Sequence, residues 1–159
     1  MADSPSHLNA AGEVHMVDVG EKPVTARRAV ARALVRMSPD TARRLRERDH
    51  RKGDAEASAR IAGIMAAKRT PELIPLCHAV ALTRVTVDLA WDDSGATVTA
   101  AAECRDRTGV EMEAMTAASV AALTLYDMVK GMERGVTIER VELVEKSGGR
   151  TGAWTREAP

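Results

Sequence analysis

The stretch GVEMEAMTAASVAALTLYDMVKGMERG, Gly109 to Gly135, most constrains what this chain can become. It predicts one long helix. Gly109 marks a loop before it and Gly135 a stop after it, with Lys130 and Arg134 in the final turns, where the helix dipole favours cations. Its middle, Met115 to Leu125, is rich in Ala and Leu, and small residues let another backbone come close. Met112, Met115, Leu123, Met128 and Met132 supply apolar bulk. The ends are charged: Glu111 and Glu113 stand in the first turn, and Asp127 and Lys130, three apart, share one face near the other end. A buried helix with such ends is suited to forming the wall of an active site.

The rest of the core must come from Val, Leu, Ile, Met and Ala, because the 159 residues hold no Phe, one Tyr and two Trp. That length suits one domain. We expect an arm over residues 1–12, a single catalytic domain over 13–152 and a tail over 153–159. The formal net charge is zero, so no global field draws the chain to nucleic acid. Two cysteines, Cys77 and Cys104, fit a reducing compartment better than a disulfide scaffold. The first twelve residues lack the apolar segment of a signal peptide, and no apolar run approaches the roughly 20 residues that cross a bilayer. The expectation is a soluble, cytoplasmic protein.

Taken in order, His15 to Gly20 reads as a short strand-like run that Pro23 ends. Thr25 to Met37 fits a strand better than a helix, because Ser38-Pro39-Asp40 then supplies an N-cap with Pro at the first helical position. A short basic helix runs from Pro39 to about Arg48. Asp54 caps a second helix ending near Lys68, with Ala57, Ile61, Ile64 and Met65 as its expected buried stripe. Thr70-Pro71-Glu72 starts a further helical turn. Ala81 to Trp91 and Ala96 to Arg105 form a hairpin about Asp92–Gly95, and Val136 to Val144 is a last strand. This order predicts an α+β fold: an antiparallel sheet with helices packed on one face, most simply a ferredoxin-like plait.

Several groups suit chemistry. KSGGRTG, at the end of the last strand, combines glycines that let backbone N–H groups converge with Lys146 and Arg150; a flexible tail is the plain alternative. It is no Walker A loop, which has a different glycine spacing. In Leu76-Cys77-His78, adjacent Cys and His residues rarely share one metal, so Cys77 reads as a buried thiol and His78 as an acid, base or phosphate donor. Lys52 and Lys68 bracket the second helix, either as solvated lysines or as phosphate or proton-transfer groups. Asp127 and Lys130 form a surface ion pair, a packing pair or an acid–base couple. Burial would favour the last, since a buried charged pair is costly unless something requires it. The basic run Arg27–Lys52 has no aromatic for stacking on bases, which counts against nucleic-acid binding.

HMVDVG, KGD, ARIAGIMAAKRT, ELIPLCH, TGVEMEAMTAASVAALTLYDMVK and EKSGG, in this order from His15 onward, resemble the cyclic pyranopterin monophosphate synthase family of molybdenum-cofactor biosynthesis (protein C of that pathway). The resemblance implies a ferredoxin-like fold and the conversion of 3′,8-cyclo-7,8-dihydro-GTP to cyclic pyranopterin monophosphate with release of pyrophosphate. It also implies action after a radical S-adenosylmethionine cyclase, no metal or organic cofactor, and a homo-hexamer, a trimer of dimers with sites at subunit interfaces. Nucleic acid and membrane are not implied partners. Matched residue by residue, the family's catalytic positions fall on Asp127, Lys130 and Lys52. Its substrate-binding positions fall on Leu76, Cys77, His78, Glu111, Met112, Glu113, Lys146, Lys68 and Arg27. Ala79, Val129 and Arg150 depart mildly from the family pattern.

With no metal implied, lysines would do the electrostatic work of expelling pyrophosphate, with Lys146, Arg27 and Lys68 at the phosphates. Lys52 and Lys130 would move protons, and Asp127 would tune or relay for Lys130. On one helix Glu113 and Asp127 stand ~21 Å apart at the standard rise, which implies that sites are shared between copies. The competing reading is a non-catalytic nucleotide-binding subunit on the same fold.

Overall fold

The computed structural model describes residues 8, 11–47, 53–150 and 152–157. The element order is β1 (Thr25–Arg36), α1 (Pro39–Arg46), α2 (Ala55–Lys68), α3 (Thr70–Leu73), β2 (Leu82–Asp92), β3 (Gly95–Asp106), α4 (Glu111–Val129), β4 (Thr137–Ser147) and β5 (Trp154–Thr155). The sheet is antiparallel in the order β2-β3-β1-β4-β5. Its first four strands, with their intervening helices, give the ferredoxin-like arrangement expected from the sequence; β5 adds a short fifth strand at the β4 edge.

Local chemistry sets the helix starts. Ser38 caps α1 with Pro39 behind it, and Asp54 Oδ1 accepts from Ala57 N–H at 2.9 Å to cap α2. A second carboxylate reinforces the first cap: Glu133 accepts from Ser38 N–H at 3.0 Å and from its hydroxyl at 2.9 Å. That ties the segment after α4 to the start of α1.

The core is built from methyl groups. Ala29, Ala31, Ala33 and Val35 of β1, with Val98, Ala100 and Ala102 of β3, face Ala114, Ala117, Ala118, Ala121, Ala122 and Leu125 of α4, all buried. Alternation along each strand sends the other residues to the far face. There Arg28, Arg32 and Arg36 pair with Glu145, Glu142 and Glu139.

Three sequence expectations change. His15–Gly20 is not a strand; Val14 makes only an isolated bridge with Leu8. The long helix is shorter than the Gly109–Gly135 stretch, because after Val129 the chain tightens into turns, with Met132 and Glu133 N–H groups both bonding Val129 C=O. On α2 the buried residues are Ala55, Ala59, Gly63, Ala66 and Ala67, whereas Ile61 (59% exposed) and Met65 (48%) point outward and Ala57 and Ile64 are half-buried. Close helix approach decides this. A Cβ on Gly63 would lie 2.9 Å from Ala117 C=O on α4, so only small residues fit the crossing.

Candidate functional site

The elements meet around the N-terminus of α4. Three cavities adjoin there, all touching Gly109. The first, about 400 Å³, is lined by Leu76, Cys77 and His78 from the segment after α3, by Glu111 and Met112 from α4, and by Val17, Val19 and Lys22. The residues read as a strand thus cross the site as an extended segment. The second is small, about 40 Å³, and is bounded by Arg27, Arg28, Glu111, Lys146, Ser147 and Gly148. The third, about 610 Å³, lies among Lys22, Arg27, Arg107, Gly149 and Arg150, with Glu21 beside them. One apolar hollow therefore opens onto a region edged with cations.

The cations are held in place. Arg27 donates from Nε to Asp106 C=O (3.3 Å) and from Nη2 to Arg107 C=O (3.2 Å). Lys146 Nζ lies 3.0 Å from Glu111 Oε1. Gly148 and Gly149 adopt positive φ, +96° and +73°, and lie against β1 and Arg27. A Cβ at Gly148 would meet Ala26 C=O, which as backbone cannot clear, so that position requires glycine; at Gly149 it would meet only the movable Arg27 guanidinium, and the positive φ is what favours glycine. The glycine pair of KSGG thus seats the backbone against Arg27.

Beneath the first cavity lies Glu113, 1% exposed. Its Oε1 accepts from the Cys77 thiol at 3.7 Å, and its Oε2 is buried without a partner among the described residues. Burial pushes this carboxyl above the ordinary carboxylate range, against the opposing hydrogen bonds. Burial, and then the Glu113 charge, pushes the Cys77 thiol up to about 11. Cys77 is consequently a protonated donor at neutral pH rather than a thiolate nucleophile. Cys104, buried in β3, is likewise pushed up to about 11 by burial.

Glu113 sets a pH dependence. A carboxyl whose folded pKa is raised contributes stability that is whole below its unfolded pKa and is lost as pH rises through the folded pKa. Glu113→Gln keeps the shape and removes the charge. Its melting temperature should match the parent's most closely in acid and exceed it by a margin that widens as pH rises toward 8, each kcal/mol of relief being worth about 2–4 °C for a chain of this size. Melts from pH 4 to 8 test this. A gap that fails to widen with pH would show that the carboxyl carries no such penalty.

Other expected site residues lie elsewhere. Asp127 and Lys130 pair at 2.7 Å, but each side chain is 55% exposed, so within one chain this is a surface pair and not the buried one that the apolar helix suggested. They stand at the far end of α4, and Lys130 caps it. Lys68 is exposed at the end of α2 and lines none of the three cavities. Lys52 falls outside the described residues. Sequence reasoning passed over Lys22 and Arg107. Lys22 follows Gly20 and Arg107 precedes Thr108-Gly109, and such glycine-flanked cations were the available signal. Among the described residues no three His, Cys, Asp or Glu side chains are grouped to hold a metal ion, and no helix is long and apolar enough to cross a membrane.

A model of the MoaC family matches residues 16–149. The chain belongs to the MoaC family. A MoaC relative, the cyclic pyranopterin monophosphate synthase of Thermomicrobium roseum, is 55% identical over 154 residues, covering 96% of this chain and 93% of its own. All three cavities fall almost wholly within the MoaC match; only Arg150 lies outside it.

Proposed function

We propose that this chain is a cyclic pyranopterin monophosphate synthase, a phosphorus–oxygen lyase of molybdenum-cofactor biosynthesis. It converts 3′,8-cyclo-7,8-dihydro-GTP to cyclic pyranopterin monophosphate and releases pyrophosphate. The observation that carries this reading is the apolar hollow of Leu76, Cys77, His78 and Met112 opening onto the cations Lys22, Arg27, Arg107, Lys146 and Arg150. A flat ring system beside a triphosphate needs that division. The cations neutralise charge that develops as pyrophosphate leaves. Glu111 offers acceptors to ring N–H groups, and Glu113, buried beneath the cavity, supports Cys77 from below.

Proton transfer in this reading falls to Lys130 and Lys52, and phosphate binding also to Lys68. Glu113 and Asp127 stand fourteen residues apart, ~21 Å along one helix, so Asp127 and Lys130 serve a site on another copy. This reading goes with a homo-hexamer, a trimer of dimers, acting in the cytoplasm on the product of a radical S-adenosylmethionine cyclase, within a catalytic domain spanning residues 13–152.

Incubation of the protein with the cyclic GTP precursor, followed by pyrophosphate assay and chromatography of the pterin, tests the proposal. Stoichiometric pyrophosphate and cyclic pyranopterin monophosphate are expected. A protein that binds the precursor and returns it unchanged would be a nucleotide-binding subunit, and the reading would fall.

A further inference from the structure

Strand β4 ends in the cation Lys146 and the glycine pair of the site, and something must hold that end still. On one side β1 does so, Ala29 pairing with Lys146. On the other side the sheet would end in an open edge, where terminal pairs fray. Here β5 occupies it: Trp154 pairs with Lys146 and Thr155 with Glu145. Arg156 continues the attachment, with its N–H bonded to Val144 C=O at 2.8 Å and its Nε to Leu143 C=O at 2.7 Å. The same Nε lies 3.5 Å from Glu142 Oε2, and the guanidinium sits over the Trp154 ring, 5.6 Å from its centroid. None of these three residues lines the site cavities.

We propose that Trp154–Arg156 is a positioning clasp, which fixes the end of β4 so that Lys146 and the Gly148–Gly149 turn meet a bound polyanion in one geometry. The clasp acts through Lys146 and does not touch the substrate. Its role in turnover rests on the synthase reading; its role in ordering β4 does not. Arg156 locks the pairing from beyond the strand, by gripping two carbonyls of β4 and stacking on Trp154. Lys146 then needs to order only its own side chain toward Glu111 or the ligand, since its backbone is held from both flanks.

The test uses the full chain, with Trp154→Ala, Arg156→Ala and the double variant, and with Trp154→Phe as the conservative replacement. KM for the cyclic GTP precursor, and the constant for inhibition by inorganic pyrophosphate, should each rise about tenfold in the double variant, the effect of losing one or two net hydrogen bonds. The turnover number should fall by no more than KM rises, because Lys146 meets the polyanion both when it is bound and as pyrophosphate leaves, and no proton-transfer group is disturbed. Trp154→Phe should restore both constants. Amide exchange at Ser147, Gly148 and Gly149 should quicken in the double variant while α4 keeps its protection. If the double variant loses overall stability, Arg156→Ala alone, which leaves the strand pair intact, should still show the quickened exchange.

Unchanged KM and pyrophosphate constants would overturn the clasp. So would a fall in turnover number at constant KM, or unaltered exchange at Ser147–Gly149. A parent protein that turns over no precursor would overturn the synthase reading instead; exchange at Ser147–Gly149 then decides for or against the clasp by itself.

Discussion

Lys130→Ala is expected to lower the turnover number for pyrophosphate release by about 10²–10⁴-fold, the range for a lost general acid or base, with little change in melting temperature. The two halves of this expectation have separate grounds. Stability is spared because the Lys130–Asp127 bridge is a surface pair, both partners half-exposed, and such pairs contribute little. Activity suffers if Lys130 moves a proton in a neighbouring copy's site. The hydrogen bond and charge of Asp127 hold the Lys130 ammonium above its ordinary range. If Lys130 takes part in turnover, as proposed, it is expected to act from the protonated side, as an acid. Asp127→Asn removes that support, so the lysine gives up its proton at lower pH and the alkaline limb of the rate profile should move down. Mixing Lys130→Ala chains with Lys146→Ala chains tests sharing directly: hybrid assemblies should regain part of the activity. Turnover by Lys130→Ala at the parental rate would remove this residue from the mechanism.

Gly148→Ala should raise KM for the precursor about 10–100-fold, the equivalent of one lost charge-assisted hydrogen bond. At φ +96° an L-residue is strained by ~1–3 kcal/mol, and the added methyl would collide with the Ala26 carbonyl of β1. Backbone cannot swing aside as a side chain can, so the turn must lift away from Arg27. Gly152→Ala is the matched control, since it has a similarly positive φ (+68°) with nothing within 4 Å of the new Cβ. Steady-state kinetics on both variants separate collision from strain. If Gly152→Ala raises KM as much as Gly148→Ala, the contact with β1 is irrelevant to binding.

The sequence announced these pieces unevenly. The strand before Ser38-Pro39, the Asp54 cap and the hairpin about Asp92–Gly95 follow from local rules, and each stands where expected. The buried stripe of α2 did not follow, because hydrophobicity ranks Ile61 and Met65 above alanine while a close helix crossing selects for smallness. His15–Gly20 alternates like a strand, yet that pattern equally suits an extended segment that turns Val17 and Val19 into a cavity. Trp154–Thr155 is too short to show any period. Leu76–His78, Glu111 and Met112, named from the motifs, line one cavity, and Arg27 and Lys146 border another. Lys22 and Arg107 come from separate loops, so only the folded chain shows that they line one cavity; Arg28 borders the second cavity but turns its side chain to Glu145.

The alanine interface between α4 and the sheet carries a consequence for how this chain can vary. Alanine has no rotamers to lose, so the layer forms without the side-chain entropy that Leu or Met would surrender. It also has no way to make room. A leucine core absorbs a misfit by changing rotamers, but two facing rows of methyl groups have no such freedom. Enlarging one alanine in this layer, Ala100 for instance, must push the helix off the sheet, at about 1–3 kcal/mol for each overpacked position. Since α4 carries Glu111, Met112 and Glu113 at one end and Asp127 at the other, any such shift tilts both ends together. The most uniform residues in the sequence thus act as the spacer that sets the distance between the helix and the floor of the cavity.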